Sequence, residues 1–261
     1  MTFAQLTQQI DALFTLKNVD RILVGHSVLG RPIYAYHVGP YNKKQVIITG
    51  AIHAREWITA LLVEELVKIY SSCDCLATGI YFIPLCNPDG VEIALSTEPL
   101  WKANARGVDL NVNFDADWGG GAQNVREPGP ENYIGPHPNS EPEVQALINF
   151  TRKVNPRATI AYHSKGELIY YRDAHSKPLA KKIAKITGYA PEKTHNSTGG
   201  YSDWVSIHLR IPALTIEVGN DDYSHPIGPD KLPEILAQNI YVPRAVLQYV
   251  TCNQAPKSPR A

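Results

Sequence analysis

With 261 residues, 44% hydrophobic and only 19% charged, the chain has enough apolar material for a large core. That composition excludes a disordered chain, and with the length leads us to expect one globular domain over residues 1–261. Its 25 Lys+Arg balance 25 Asp+Glu, so bulk electrostatics draw it toward neither nucleic acid nor an anionic membrane. No run approaches 18 uninterrupted apolar residues, and the first 20 lack a basic leader followed by a long apolar stretch. A cytoplasmic location is the expectation. Cys73, Cys75, Cys86 and Cys252 are too unevenly spaced for a disulfide framework and fit a reducing compartment. Cys73 and Cys75 alone supply too few ligands for a structural metal site.

Phe3, Leu6, Ile10, Leu13 and Phe14 share one face at helical spacing, which predicts an opening amphipathic helix. From Asp20 two apolar runs flank Leu29-Gly30-Arg31-Pro32, the signature of a hairpin, and QVIITGAIH is a β-branched strand broken at Gly50. EWITALLVEELVKIY then follows a helical period. Strands recur in GIYFIPLCNPDG, ATIAYHSKG and PALTIEVGN, with helices from Glu141 to Val154 and Lys177 to Thr187 between them, so a largely parallel sheet is expected. Ser140 and Glu143 have the spacing of a helix capping box. The run from Trp118 to Pro138 is rich in Gly and Pro, without periodicity, and is expected beside a binding cleft.

Three polar features stand at strand ends, where parallel α/β sheets carry their sites: His53-Ala54-Arg55-Glu56 after QVIIT, His163 after ATIAY, and Glu217 in ALTIEV. His53 and Glu56, three apart, can aim an imidazole and a carboxylate at one ion. A distant His163 completes two histidines and a carboxylate, the ligand set of a catalytic zinc with one position left open. Zinc lowers the pKa of bound water toward roughly 7, and a carboxylate that is not a ligand must then move the proton. Glu217, a lone charge in an apolar strand, is the candidate.

The sequence resembles the M14-type zinc carboxypeptidases through HAREW (53–57), NPDG (87–90), GVDLNVNFDADWG (107–119), AYHS (161–164), GGYSDW (199–204) and LTIEVG (214–219). The resemblance implies a three-layer α/β/α fold with a mixed, roughly eight-stranded sheet. It further implies one zinc ion held by His53, Glu56 and His163, Glu217 as general base and acid, and Asp109 fixing the tautomer of His53. It departs from that pattern at Val112, where the family has an arginine that grips a C-terminal carboxylate together with the residue matching Asn111. Valine cannot form such a pair. Lys102 stands where the family has an arginine that polarises the scissile carbonyl, with Arg106 the competing candidate, and His195 replaces a mobile tyrosine.

With HSKGE at 163–167 and SEPE at 140–143, these substitutions look most like the bacterial γ-D-glutamyl-meso-diaminopimelate peptidases. The resemblance then implies hydrolysis of small cell-wall peptides. The candidate substrate contacts are Arg55, Asn111, Arg106, Lys165, His195 and Tyr201, with Asp221 or Asp222 meeting the far ammonium; Trp204 reads as core. A conventional carboxypeptidase with an altered anchor, or a deacylase of N-acyl amino acids, uses the same metal set. A catalytically dead binding module would have a damaged ligand or base, and all four residues are present.

Overall fold

The computed structural model describes residues 1–73 and 76–252, so Cys75 lies outside the described residues. Helix α1 (Phe3–Ala12) starts at a capping box in which Thr2 and Gln5 exchange backbone and side-chain hydrogen bonds, and it buries Leu6 and Ile10. Phe14, expected on the same face, falls in the 3-10 turn that follows; it is 49% exposed, under the guanidinium of Arg21. The hairpin forms as β1 (Val19–His26) and β2 (Pro32–Val38). Next come β3 (Val46–Thr49), α2 (Ile58–Ser71), β4 (Ile80–Ile83) and α3 (Pro88–Ser96). After a long irregular stretch follow α4 (Pro142–Val154), β5 (Ala158–His163), β6 (Leu168–Tyr171), α5 (Lys177–Thr187), β7 (Ala190–Lys193) and α6 (Tyr201–His208). β8 (Ala213–Glu217), α7 (Leu232–Asn239) and α8 (Val242–Cys252) complete the order.

The eight strands form one mixed sheet in the order β1-β2-β4-β3-β5-β8-β6-β7. Its centre, β4-β3-β5-β8, is parallel, while β1, β2 and β6 each pair antiparallel with a neighbour. Alternation along the strands sends Val46 and Ile48 to one apolar cluster and Ile47 to the other. The first cluster is closed by α1, α2, α3, α5, α7 and α8, the second by α4 and α6, giving the three layers. The parallel centre brings the carboxyl ends of β3, β5 and β8 to one edge, with His163 directly opposite Glu217 in register.

The capping box expected at Ser140 and Glu143 is not made. Glu141 occupies the N-cap but its side chain makes no capping bond to the helix, and Pro142, which has no N–H to satisfy, takes the first helical position. The Ser140 hydroxyl donates instead to Glu141 at 2.8 Å, and Glu143 accepts the Val28 N–H at 2.9 Å. Among the described residues no helix is long and apolar enough to cross a membrane.

Candidate metal centre and its cleft

The turn that carries His53 is held by its neighbours. A Cβ on Gly50 would sit 2.7 Å from the Thr59 carbonyl, so only glycine lets the strand end pass this close to α2. Thr59 Oγ1 accepts the Ala51 N–H at 2.7 Å, and the Cys86 and Asn87 N–H groups donate to Gly50 and Ala51. The Asn87 side chain, first residue of the NPDG motif, donates to Ile52 and Ala103 carbonyls at 3.1 and 3.0 Å. Asp89 of that motif accepts the Leu29 N–H and pairs with Arg31, tying the hairpin turn to the same region. This motif therefore supports the site without entering it.

His53 (7% exposed), Glu56 (4%) and His163 (1%) converge there. His53 Nδ1 lies 2.9 Å from Glu56 Oε1, His163 Nδ1 lies 3.1 Å from Glu56 Oε2, and the two Nδ1 atoms are 3.1 Å apart. One ligand atom from each of the three residues falls within 4.8 Å of the others, a grouping suited to a metal ion. Two imidazole nitrogens and a carboxylate facing one point, all buried, are a donor set that fits zinc. The opposite side of His53 fits as well: Nε2 is 3.2 Å from Asp109 Oδ1, and a carboxylate there favours the tautomer whose Nδ1 lone pair is free.

Asp109 is fully buried and also holds Lys102 Nζ at 2.8 Å through Oδ2, while its carboxylate accepts the N–H groups of Asn111 and Asn132. Burial alone would raise this carboxyl, but Lys102 and His53 outweigh it and hold it well below the usual carboxylate range. Burial likewise opposes the charge on Glu56, and the two histidines overcome it. Lys102 stays firmly cationic because Asp109 outweighs its desolvation. Glu217 behaves differently: burial pushes its carboxyl up to about 7, against the pull of His163.

His53, Lys102 and Glu217 line a cleft of about 370 Å³, together with Asn111, Val112 and His195. Val112 is 8% exposed, and the chain segment behind it is packed by Gly199 at φ +83, where a Cβ would meet the Val112 carbonyl at 2.7 Å. The loop from Trp118 to Pro138 reaches the cleft through Gly121, Gln123, Asn124 and Asn132. Arg55, Lys165 and Arg106 are not among the residues lining this cleft. Arg55 pairs with Glu131 at 3.0 Å, Lys165 with Asp221 at 2.8 Å, and Arg106 lies in a separate depression beside Glu141. Asp222 is exposed. Tyr201 is fully buried in the core with its hydroxyl 2.8 Å from Thr151, and Trp204 is core as expected. Tyr170, Arg172, Glu192, Asp203 and Thr215, which no sequence motif singled out as substrate contacts, also line the cleft. The signal for Thr215 was its place two before Glu217 on one strand; Asp203 was inside GGYSDW.

The fold and this donor set define a metal-dependent hydrolase scaffold, and similarity to known proteins narrows the class. The model of the zinc carboxypeptidase family matches residues 8–241. The chain belongs to that family, the M14 peptidases, whose cofactor is one zinc ion. The γ-D-glutamyl-L-diamino acid endopeptidase 1 of Lysinibacillus sphaericus is 30% identical over 245 residues, covering 78% of this chain and 62% of that protein. Carboxypeptidase A5 of Macaca fascicularis is 33% identical over 192 residues, 65% of this chain and 44% of that protein. This chain thus spans less than two thirds of the length of either relative. In fold it is similar to bovine thrombin-activatable fibrinolysis inhibitor, solved with tick carboxypeptidase inhibitor. There the TM-score is 0.84 at 21% identity, over 97% of this chain and 98% of that one.

Proposed function

We infer that this protein is a zinc peptidase hydrolysing the γ-D-glutamyl bond to a diamino acid in bacterial cell-wall peptides. The observation that carries the reading is the pairing of an intact His53-Glu56-His163 grouping with Val112 in the cleft wall, where conventional carboxypeptidases of the resembling type keep an arginine. The Lysinibacillus relative, a γ-D-glutamyl-L-diamino acid endopeptidase by name, supports the same substrate class. When bound, zinc supplies Lewis acidity, polarising the scissile carbonyl and making a water easier to deprotonate. In this reading His53, Glu56 and His163 hold the ion, and Asp109 keeps His53 in the liganding tautomer. Glu217 takes the proton of the attacking water and delivers it to the departing amine, a task suited to a carboxyl raised toward neutrality. Lys102, kept cationic by Asp109, faces the developing negative charge on the carbonyl oxygen. Asn111 and His195 contact the substrate from the cleft wall.

Removal of a C-terminal residue from ordinary peptides is the second reading, favoured by similarity to Carboxypeptidase A5. A mass-spectrometric assay of the zinc-loaded protein separates the two, using L-Ala-γ-D-Glu-meso-diaminopimelate beside an all-L peptide, each with and without chelator. Chelator-sensitive release of diaminopimelate, with the all-L peptide intact, is the expected result. Trimming of the all-L peptide alone would make the protein a conventional carboxypeptidase.

A further inference from the structure

The cleft extends well past the metal ligands. Ala213, Thr215 and Glu217 alternate along β8 and all line it, so one face of this strand is part of its floor. At about 3.3 Å per residue, Ala213 stands about 13 Å from Glu217. β6 runs antiparallel beside β8 with Tyr171 opposite Leu214, which brings Arg172, the next residue, to the Ala213 end. Tyr170 and Arg172, two apart, both line the cleft there.

Arg172 is held on two sides. Its Nη1 is 3.4 Å from Asp203 Oδ1, and its Nη2 is paired with Asp117. Asp203 is 7% exposed and also accepts the Gly200 N–H, so it is fixed at the start of α6. A guanidinium has five N–H donors in a rigid fork, and these two contacts leave donors unused. The Arg172 side chain remains 28% exposed on a cleft wall, and Asn124, lining the same cleft, has a buried side-chain nitrogen without a hydrogen-bond partner. An arginine placed here only to hold the fold has no need of an open cleft beside it.

We propose that Arg172 and Asp203 are specificity-determining residues that recognise the distal amino-acid end of a diamino acid, whose near end is released beside Glu217. Arg172 binds the distal carboxylate with its free donors, and Asp203 meets the distal ammonium. The inference rests on the γ-D-glutamyl-diamino acid reading. It also assigns the anchoring cation, absent at Val112, to the end of β6 and to the distal end of the diamino acid. Diaminopimelate carries a carboxylate and an ammonium on its distal carbon; lysine in the same position carries only the ammonium. The pair therefore separates these two substrates through Arg172.

The test compares L-Ala-γ-D-Glu-meso-diaminopimelate with L-Ala-γ-D-Glu-L-Lys on the zinc-loaded full chain, as wild type, Arg172→Gln and Arg172→Lys. Calorimetric binding of both peptides to Glu217→Gln, with and without Arg172→Gln, runs in parallel. We expect wild type to favour diaminopimelate. Arg172→Gln should lose about 10- to 100-fold in kcat/KM on that peptide, chiefly through KM, with little change on the lysine peptide. Arg172→Lys should recover part of the loss. An equal fall on both peptides, or an unchanged ratio, would overturn the assignment. If wild type cleaves neither peptide, the γ-D-glutamyl reading fails by itself, and the binding arm still decides. Tighter binding of the diaminopimelate peptide, lost with Arg172→Gln, supports the pair, and equal affinities refute it.

Discussion

The two ends of the cleft are built on opposite principles. At the metal end, Glu56, His53, His163, Asp109 and Lys102 form an unbroken chain of contacts between 2.8 and 3.2 Å, with Glu56 and Asp109 both buried. At the Arg172 end the charges are partly open: the side chains of Arg172 and Asp117 are 28% and 58% exposed. Chemistry needs ligands fixed in a low-dielectric setting before substrate arrives, whereas recognition needs donors still free to be used. The contrast lies in how completely each end satisfies itself.

Removing a ligand breaks the first end most severely. His163→Ala leaves a histidine and a carboxylate, and zinc content measured by elemental analysis should fall far below one ion per chain, with activity lost. Full zinc occupancy would mean a different third ligand. Glu217→Gln should keep the zinc and lower turnover by roughly 10²–10⁴-fold, since only proton transfer is removed; a variant as active as wild type takes Glu217 out of the reaction. Asp109→Asn should weaken zinc binding about 10- to 100-fold in a competition titration, because the partner that sets the His53 tautomer is neutralised.

A separate effect, on stability and not on the site, concerns a buried carboxyl outside the cleft. Burial pushes Glu143 up to about 7 from an ordinary 4.5, although the Val28 N–H and Asn104 pull it down. The folded state therefore holds this proton more tightly than the unfolded chain. The stability it contributes is full below about pH 4.5 and is lost as pH rises through about 7. Relative to wild type, Glu143→Gln should gain stability as pH rises from about 4.5 to 8, read from urea unfolding. Parallel curves across that range would show that Glu143 stays ionised in the fold.

The metal end was legible in the sequence because His163 and Glu217 end apolar strands, and His53 and Glu56 share one short motif in the turn just past another. The Arg172 end was not. β7 is exposed along its whole length and carries no alternation to read, and the strand before Arg172 follows a turn-rich HSKGE segment. Asp117 comes from a loop, Arg172 from the end of β6 and Asp203 from α6, three separate parts of the chain that meet only in the folded structure. The same limit explains the capping box: Ser140 and Glu143 had the spacing, but Glu143 was claimed by Val28, 115 residues away. Lys165 and Arg106 were chosen for closeness in sequence to the motifs; neither is among the residues that line the cleft, and each pairs with a carboxylate, Asp221 and Glu141.

Diffraction at the zinc edge from crystals of the zinc-loaded protein locates the ion itself. One anomalous peak is expected about 2.0–2.2 Å from His53 Nδ1, His163 Nδ1 and the Glu56 carboxylate, with Glu217 outside the ligand shell. A peak bonded to Nε2 of either histidine, or one that includes Glu217 as a ligand, would contradict that arrangement.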